Sequence, residues 1–173
     1  MEKYKQTGIQ RKSKMSYKNS SYLILNILLL LILPALSVMA EVIVEKESPD
    51  WLLIGKWFIF WAVGIRLFTA GIKQSSNPEF TAVKIFHMKT AESFVVIREL
   101  GFANIALGVM GILSVINGHW RILAAVIGGL FFGLAGLQHL FKKPDSRNEL
   151  IAMIYDITVL LVIIIYLSIT IIF

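Results

Sequence analysis

Two adjacent charges, Arg98 and Glu99, stand near the start of a long apolar run. A charge inside a membrane span costs roughly 2.5 to 3.5 kcal/mol on insertion scales, so such residues are rare there and usually have polar partners. Three more ionisable side chains, Arg66, His139 and Asp156, interrupt other apolar runs. Groups of this kind are candidates for binding small solutes, quinone head groups or protons. The chemistry of the chain therefore depends on whether its helices bring these five residues together.

The amino-acid composition restricts the class of protein. The chain is 57% hydrophobic and 16% charged, whereas soluble domains average about 45 to 50% and about 25%. Six of the 17 basic residues fall within the first 18 positions. The others lie mostly in short segments between apolar runs, as membrane topology requires, and form no basic face for nucleic acid. We expect an all-α integral membrane protein in contact with the lipid bilayer, with no nucleic-acid partner.

Five apolar runs are each long enough to cross a bilayer, which takes about 20 helical residues. The sequence predicts a disordered basic cytoplasmic tail at 1–21 and a first transmembrane helix at 22–40. A four-helix transmembrane bundle follows at 51–173, with a short interfacial helix near 78–89. Lys and Arg are concentrated in the tail and in the second and fourth loops, which places the N-terminus in the cytoplasm and the C-terminus outside.

The first apolar run also has features of a secretory signal. A basic region precedes a Leu-rich core, Pro34 interrupts the helix, and small residues ending at Ala40 offer a cleavage site before Glu41. A basic region of 21 residues is long for a cleaved signal and favours a retained helix. Both outcomes stay open, and both place Glu41 in an acidic external loop.

The predicted topology brings the ionisable residues to one depth. Spans two and four run toward the cytoplasm and spans three and five run away from it, so all five residues fall within about 10 Å of the inner boundary. In one interpretation they line a polar cavity that binds or passes a small polar or quinone-like ligand. In the other, the two arginines, Glu99 and Asp156 form a charge-balanced clasp that fixes helix register, and Gln138 and His139 complete its hydrogen bonds. The ligand-binding candidates are Arg66, Arg98, Glu99, Gln138, His139 and Asp156.

Small residues recur at helical spacing on the third and fourth spans, a pattern that allows close approach of helix backbones. On the third span the charged pair points away from this stripe, so we expect neighbours on both sides and a central position for that helix. Asn104 is an interhelical hydrogen-bonding group within the stripe. The residues assigned to helix packing are Gly101, Asn104, Gly108, Gly111, Gly129 and Gly133.

The sequence contains no recognisable catalytic or cofactor motif. The absence of cysteine excludes thiolate metal sites and iron–sulfur clusters. His139 has neither a second axial ligand for haem nor a paired ligand for a metal ion. The glycine clusters lie inside apolar helices and not after strands, so they form no phosphate loop or dinucleotide fingerprint. We expect no enzyme activity, no metal and no cofactor, while a membrane-protein partner or a second copy stays open.

Three segments carry a family resemblance: WFIFW at 57–61, GIRL at 64–67 and RELGFAN at 98–104. They resemble motifs of an uncharacterised family of small bacterial multi-pass membrane proteins, a domain of unknown function, over roughly residues 51–141. The resemblance implies a bacterial inner membrane as the location. More distantly, the four-helix arrangement is similar to the DoxX-like group, some of whose members are membrane subunits associated with thiosulfate:quinone oxidoreduction. That likeness implies a redox-associated subunit as an alternative function.

Overall fold

The structure is a computed structural model, and the part of the chain that it describes is entirely helical, without strands. The predicted tail at 1–21 lies outside the described residues, as do most positions after residue 84 in the predicted interfacial helix. The prediction of an all-α fold is confirmed for the described part. The described residues are 22–46, 48–84, 88, 90–142, 144 and 147–172.

In the described part of the chain, five helices are long and apolar enough to cross a membrane, which confirms the predicted number of candidate spans. A shorter helix lies between the second and third of them, within the segment predicted to be interfacial. We number all six in chain order: α1 (Tyr22–Glu45), α2 (Trp51–Ser76), α3 (Pro78–Lys84), α4 (Ala91–Leu113), α5 (Gly118–Lys142) and α6 (Arg147–Ile172).

Helix α1 passes through Pro34 and ends at Glu45, five residues beyond the predicted boundary. The segment Leu28–Ile32, just before the proline, is π-helical. Proline lacks an amide hydrogen and its ring crowds the carbonyl one turn earlier. A π-helical turn is wider than an α-helical one and accommodates that ring without ending the helix. The predicted interruption at Pro34 is therefore wrong.

Polar contacts join the C-terminal half of α1 to α2. Lys56 Nζ lies 2.7 Å from both carboxylate oxygens of Glu41, and Trp57 Nε1 donates to Oε2 of the same residue at 2.7 Å. One helical turn away, Trp61 Nε1 donates to Ser37 Oγ at 2.9 Å. Glu41 is therefore a helical residue bonded to the bundle, and not part of a free external loop.

Replacing Glu41 by alanine is expected to loosen α1 from the bundle. The side chains of Lys56 and Glu41 are only 19% and 25% exposed, so the change leaves a half-buried ammonium without its partner. The ion pair is neither fully exposed nor fully buried. We therefore expect a loss of about 1 to 2 kcal/mol in the free energy of unfolding, between the values for exposed and for buried ion pairs. Thermal unfolding in detergent measures it. Glu45→Ala, at an exposed position one turn on, is the matched control, and equal melting temperatures for the two variants would contradict the contact.

Helix α2, and not the third span, is the centre of the bundle. It packs against α1, α4, α5 and α6, and its residues Ile59, Ala62 and Val63 are almost completely buried. The predicted central position of the third span is wrong, because the face of α4 that carries the charged pair is exposed. The buried core consists of Phe58, Ile59, Ala62, Val63, Leu67, Ala124, Ala125, Phe132, Tyr155, Val159, Ile163 and Tyr166.

The contact between α2 and α4 is backbone against backbone. A Cβ atom built at Gly64 would lie 2.8 Å from the carbonyl carbon of Gly111, and one at Gly111 would lie 2.5 Å from Cα of Gly64. Gly71 and Gly101 meet in the same way, about two turns away along α2 and about three turns away along α4. Small residues at such positions let two helices approach closely enough for dispersion contacts between their backbones. This contact fixes the rotation of α2, and so the direction of the side chains it carries.

Candidate functional site

A π-helical segment, Ile59–Ile65, leads directly into Arg66 near the middle of α2. The amide of Arg66 donates to carbonyls three and five residues earlier and so bypasses Ala62. The carbonyl of Ala62 instead accepts a hydrogen bond of 2.9 Å from the hydroxyl of Tyr155 on α6. Single π-helical turns inside α-helices often occur at functional sites. The backbone of α2 and a buried side chain of α6 are thus joined at the turn that presents Arg66.

The guanidinium of Arg66 lies against the ring of Tyr155, with Cζ 5.6 Å from the ring centroid, within the range of a cation–π contact. The ring is held in place, since Tyr155 is only 2% exposed. Nε of Arg66 is buried and has no hydrogen-bond partner among the described residues. A buried donor without a partner costs about 1 to 3 kcal/mol. That donor is therefore available to an acceptor from outside the protein.

Asp156 and His139 complete the polar surroundings. His139 Nε2 lies 3.9 Å from Oδ2 of Asp156, and Asp156 is 8% exposed. Asp156 follows Tyr155, whose ring contacts the guanidinium, and so lies near Arg66. In the described part of the chain, however, no ion pair of 4 Å or less joins Arg66 to Asp156. Arg66, His139, Tyr155 and Asp156 thus converge from α2, α5 and α6, and we call them the Arg66 cluster.

The other three ligand-binding candidates lie elsewhere. Arg98, Glu99 and Gln138 are exposed on the outside of the bundle. The two ion pairs that the structure shows within its described residues do not include them. The structure therefore brings together only Arg66, His139 and Asp156 of the six. It adds Tyr155, for which the sequence offered one signal: its place beside Asp156 in an apolar run.

The residues assigned to helix packing lie at two helix contacts. Nδ2 of Asn104 donates to Oε1 of Gln74 on α2 at 2.7 Å, a partner that the sequence reading did not single out. This bond ties α4 to the end of α2 that follows Arg66. The residues between α4 and α2 are Gly101, Asn104, Gly108 and Gly111, and those between α5 and α6 are Gly129 and Gly133.

Two clefts on the surface of the bundle are lined by described residues. One, of about 280 Å³, is lined by polar and charged residues around Glu41, Lys56 and Arg121. The other, of about 350 Å³, is an apolar groove between α5 and α6. Neither cleft is lined by a residue of the Arg66 cluster. A ligand at the cluster would therefore not occupy either of these two clefts.

Comparison with known proteins identifies the family of the chain. No curated protein and no solved structure matches it. A family of unknown function, DUF6790, matches residues 18–173, which include all five long helices. The expected resemblance to an uncharacterised family is confirmed. Because the match extends over nearly the whole sequence, the chain belongs to the DUF6790 family of unknown function.

Proposed function

We propose that this membrane protein binds a small ligand with a hydrogen-bond-accepting oxygen, such as a quinone head group, at the Arg66 cluster. The observation that carries the proposal is the buried Nε of Arg66, which has no partner among the described residues. The ring of Tyr155 lies against the same guanidinium. The carbonyl oxygen of a quinone or the carboxylate of a small solute would accept this hydrogen bond. Hydrogen bonds that involve a charged group are worth about 1.5 to 3 kcal/mol.

The rest of the cluster prepares the guanidinium for this role. The Tyr155 ring supports one side of it, and the hydrogen bond from the Tyr155 hydroxyl to Ala62 fixes that ring. No ion pair of 4 Å or less joins Arg66 to Asp156 among the described residues, so the guanidinium is not fully engaged. Asp156 and His139 would hold a second polar atom of the ligand, or a proton, at the far side of the cluster.

The test is a titration of the purified protein in lipid nanodiscs with a short-tailed ubiquinone, followed by tryptophan fluorescence and by thermal shift. Arg66→Ala is expected to weaken binding by about tenfold or more, the loss of at least 1.4 kcal/mol. Arg98→Ala removes the same side chain from an exposed position and should leave the affinity unchanged. A parallel titration with benzoate distinguishes a quinone from a carboxylate ligand. If the native protein binds neither probe, or both variants lose affinity equally, the proposal is wrong.

The second candidate function is a purely structural clasp. The observation in its favour is that the cluster has internal contacts: the Tyr155 hydroxyl donates to the Ala62 carbonyl, and His139 Nε2 lies 3.9 Å from Oδ2 of Asp156. A clasp between Arg66 and Asp156 predicts that Arg66→Ala and Asp156→Ala each lower the melting temperature, and that the double variant is no less stable than either single one. The ligand function instead predicts that Arg66→Ala keeps its stability while it loses affinity.

A further inference from the structure

Helix α4 has one face that no described residue covers. It lies on the side opposite the glycine stripe that packs against α2. Phe102 on this face is 55% exposed and Val95 is 58% exposed. We call this surface the α4 outer face, and it consists of Val95, Arg98, Glu99, Phe102, Ala103 and Ala106.

The two charges on the α4 outer face lie well inside the helix. Glu99 is eight residues after the first residue of α4, Ala91, which is about 12 Å along the axis. A long arginine side chain can reach back toward the membrane interface, but a glutamate side chain is shorter and reaches less far. Charges within spans are rare and are generally paired with one another. The structure shows no ion pair for Arg98 or Glu99 within the described residues.

We propose that a second copy of this chain docks on the α4 outer face, with Arg98 of each copy paired to Glu99 of the other. All copies of a membrane protein insert in the same orientation, so a two-fold axis along the membrane normal places equal residues at equal depth. Adjacent residues differ in depth by only about 1.5 Å. When the helices are rotated so that Arg98 of one copy faces Glu99 of the other, the two-fold symmetry forms both ion pairs at once. An arginine–carboxylate pair can be bidentate, which adds geometric specificity.

The rest of the surface suits a contact between two helices. Ala103 and Ala106 are exposed and small, so two α4 helices can approach closely along them. Phe102, between these alanines and the charges, offers an exposed aromatic ring for the contact. A different membrane protein would need its own matching pair of charges at this depth, whereas a second copy supplies one automatically. This contact is independent of the ligand proposed for the Arg66 cluster.

Charge reversal tests the pairing directly. Arg98→Glu gives a face with two negative charges and Glu99→Arg gives one with two positive charges, so each variant alone repels itself. We expect dimers in lipid nanodiscs, counted by native mass spectrometry, to weaken by about tenfold or more in each variant. Coexpression of the two variants should restore the dimer as a heterodimer, because both pairs then form again. Lys142→Glu, at an exposed position on α5, is the control and should dimerise as the native chain does.

Disulfide cross-linking gives a second, independent measurement. The chain has no cysteine, so a single introduced thiol reports one position. Ala106→Cys should form a disulfide-linked dimer under mild oxidation in membranes, and Leu134→Cys, 66% exposed on α5, should not. A monomeric native protein, unchanged dimers in the charge variants, or equal cross-linking at the two positions would overturn the proposal. A monomer would indicate that the two charges reach the lipid head groups instead.

Discussion

Replacing Gly111 by alanine is expected to lower the free energy of unfolding by about 3 kcal/mol, at the upper end of the range for overpacked cores. The added Cβ would lie 2.5 Å from Cα and 2.6 Å from the amide nitrogen of Gly64. Those are backbone atoms of the central helix, so no flexible side chain can move aside. The helices must separate, and the dispersion contacts along α2 and α4 weaken with them. Thermal or detergent-induced unfolding followed by circular dichroism measures the loss.

A matched glycine provides the control. Gly118 begins α5, and a Cβ built there would meet no atom within 4 Å. Gly118→Ala should therefore change stability by no more than about 0.5 kcal/mol, and the lower backbone entropy of alanine in the unfolded chain favours a small gain. If both alanine variants unfold at the native temperature, the close contact between α2 and α4 is not part of the folded protein.

The helices and their packing faces could be predicted from the sequence because both are local properties. Hydropathy over about 20 residues defines a span, and glycines at spacing three and four define the face that meets another helix. Counting residues from each end of a span also gives depth, which is why Arg66, His139 and Asp156 could be expected in one layer. All of these predictions depend on neighbours along the chain.

Rotation about the helix axis could not be predicted to the same degree. The π-helical segment Ile59–Ile65 changes the angle per residue, so faces counted at about 100° per residue across it are displaced. Arg98 and Glu99 show a second cause. A glycine stripe on one side of a helix says nothing about whether the opposite side is covered, and here no described residue covers it. The contacts of Glu41 exist because α1 continues past Ala40. The acidic composition of the segment after Ala40 is typical of a loop, so the sequence did not predict that continuation.

Tyr155 joins the packing of the bundle to the candidate site, so its replacement should have the other large effect. Tyr155→Ala removes a ring that is only 2% exposed. The centroid of this ring lies 5.7 Å from that of Phe132, and the ring also contacts the guanidinium of Arg66. Loss of a large buried aromatic side chain costs about 3 to 5 kcal/mol. Calorimetric or circular-dichroism melting of the purified protein in detergent measures this change. A melting temperature within a degree or two of the native value would contradict the burial of the ring.

Tyr155→Phe separates the hydroxyl from the ring. The Ala62 carbonyl then loses the 2.9 Å hydrogen bond at the π-helical turn, and a buried acceptor left without that bond should cost about 1 to 2 kcal/mol. Tyr166→Phe is the matched control, since Tyr166 is equally buried on the same helix and its hydroxyl forms no hydrogen bond with a described residue. If the ligand function is correct, Tyr155→Phe should also weaken quinone binding, because the π-helical turn before Arg66 loses its hydrogen bond to α6. Tyr166→Phe should leave both affinity and stability nearly unchanged. Equal effects of the two phenylalanine variants would show that the hydroxyl of Tyr155 does not hold that turn.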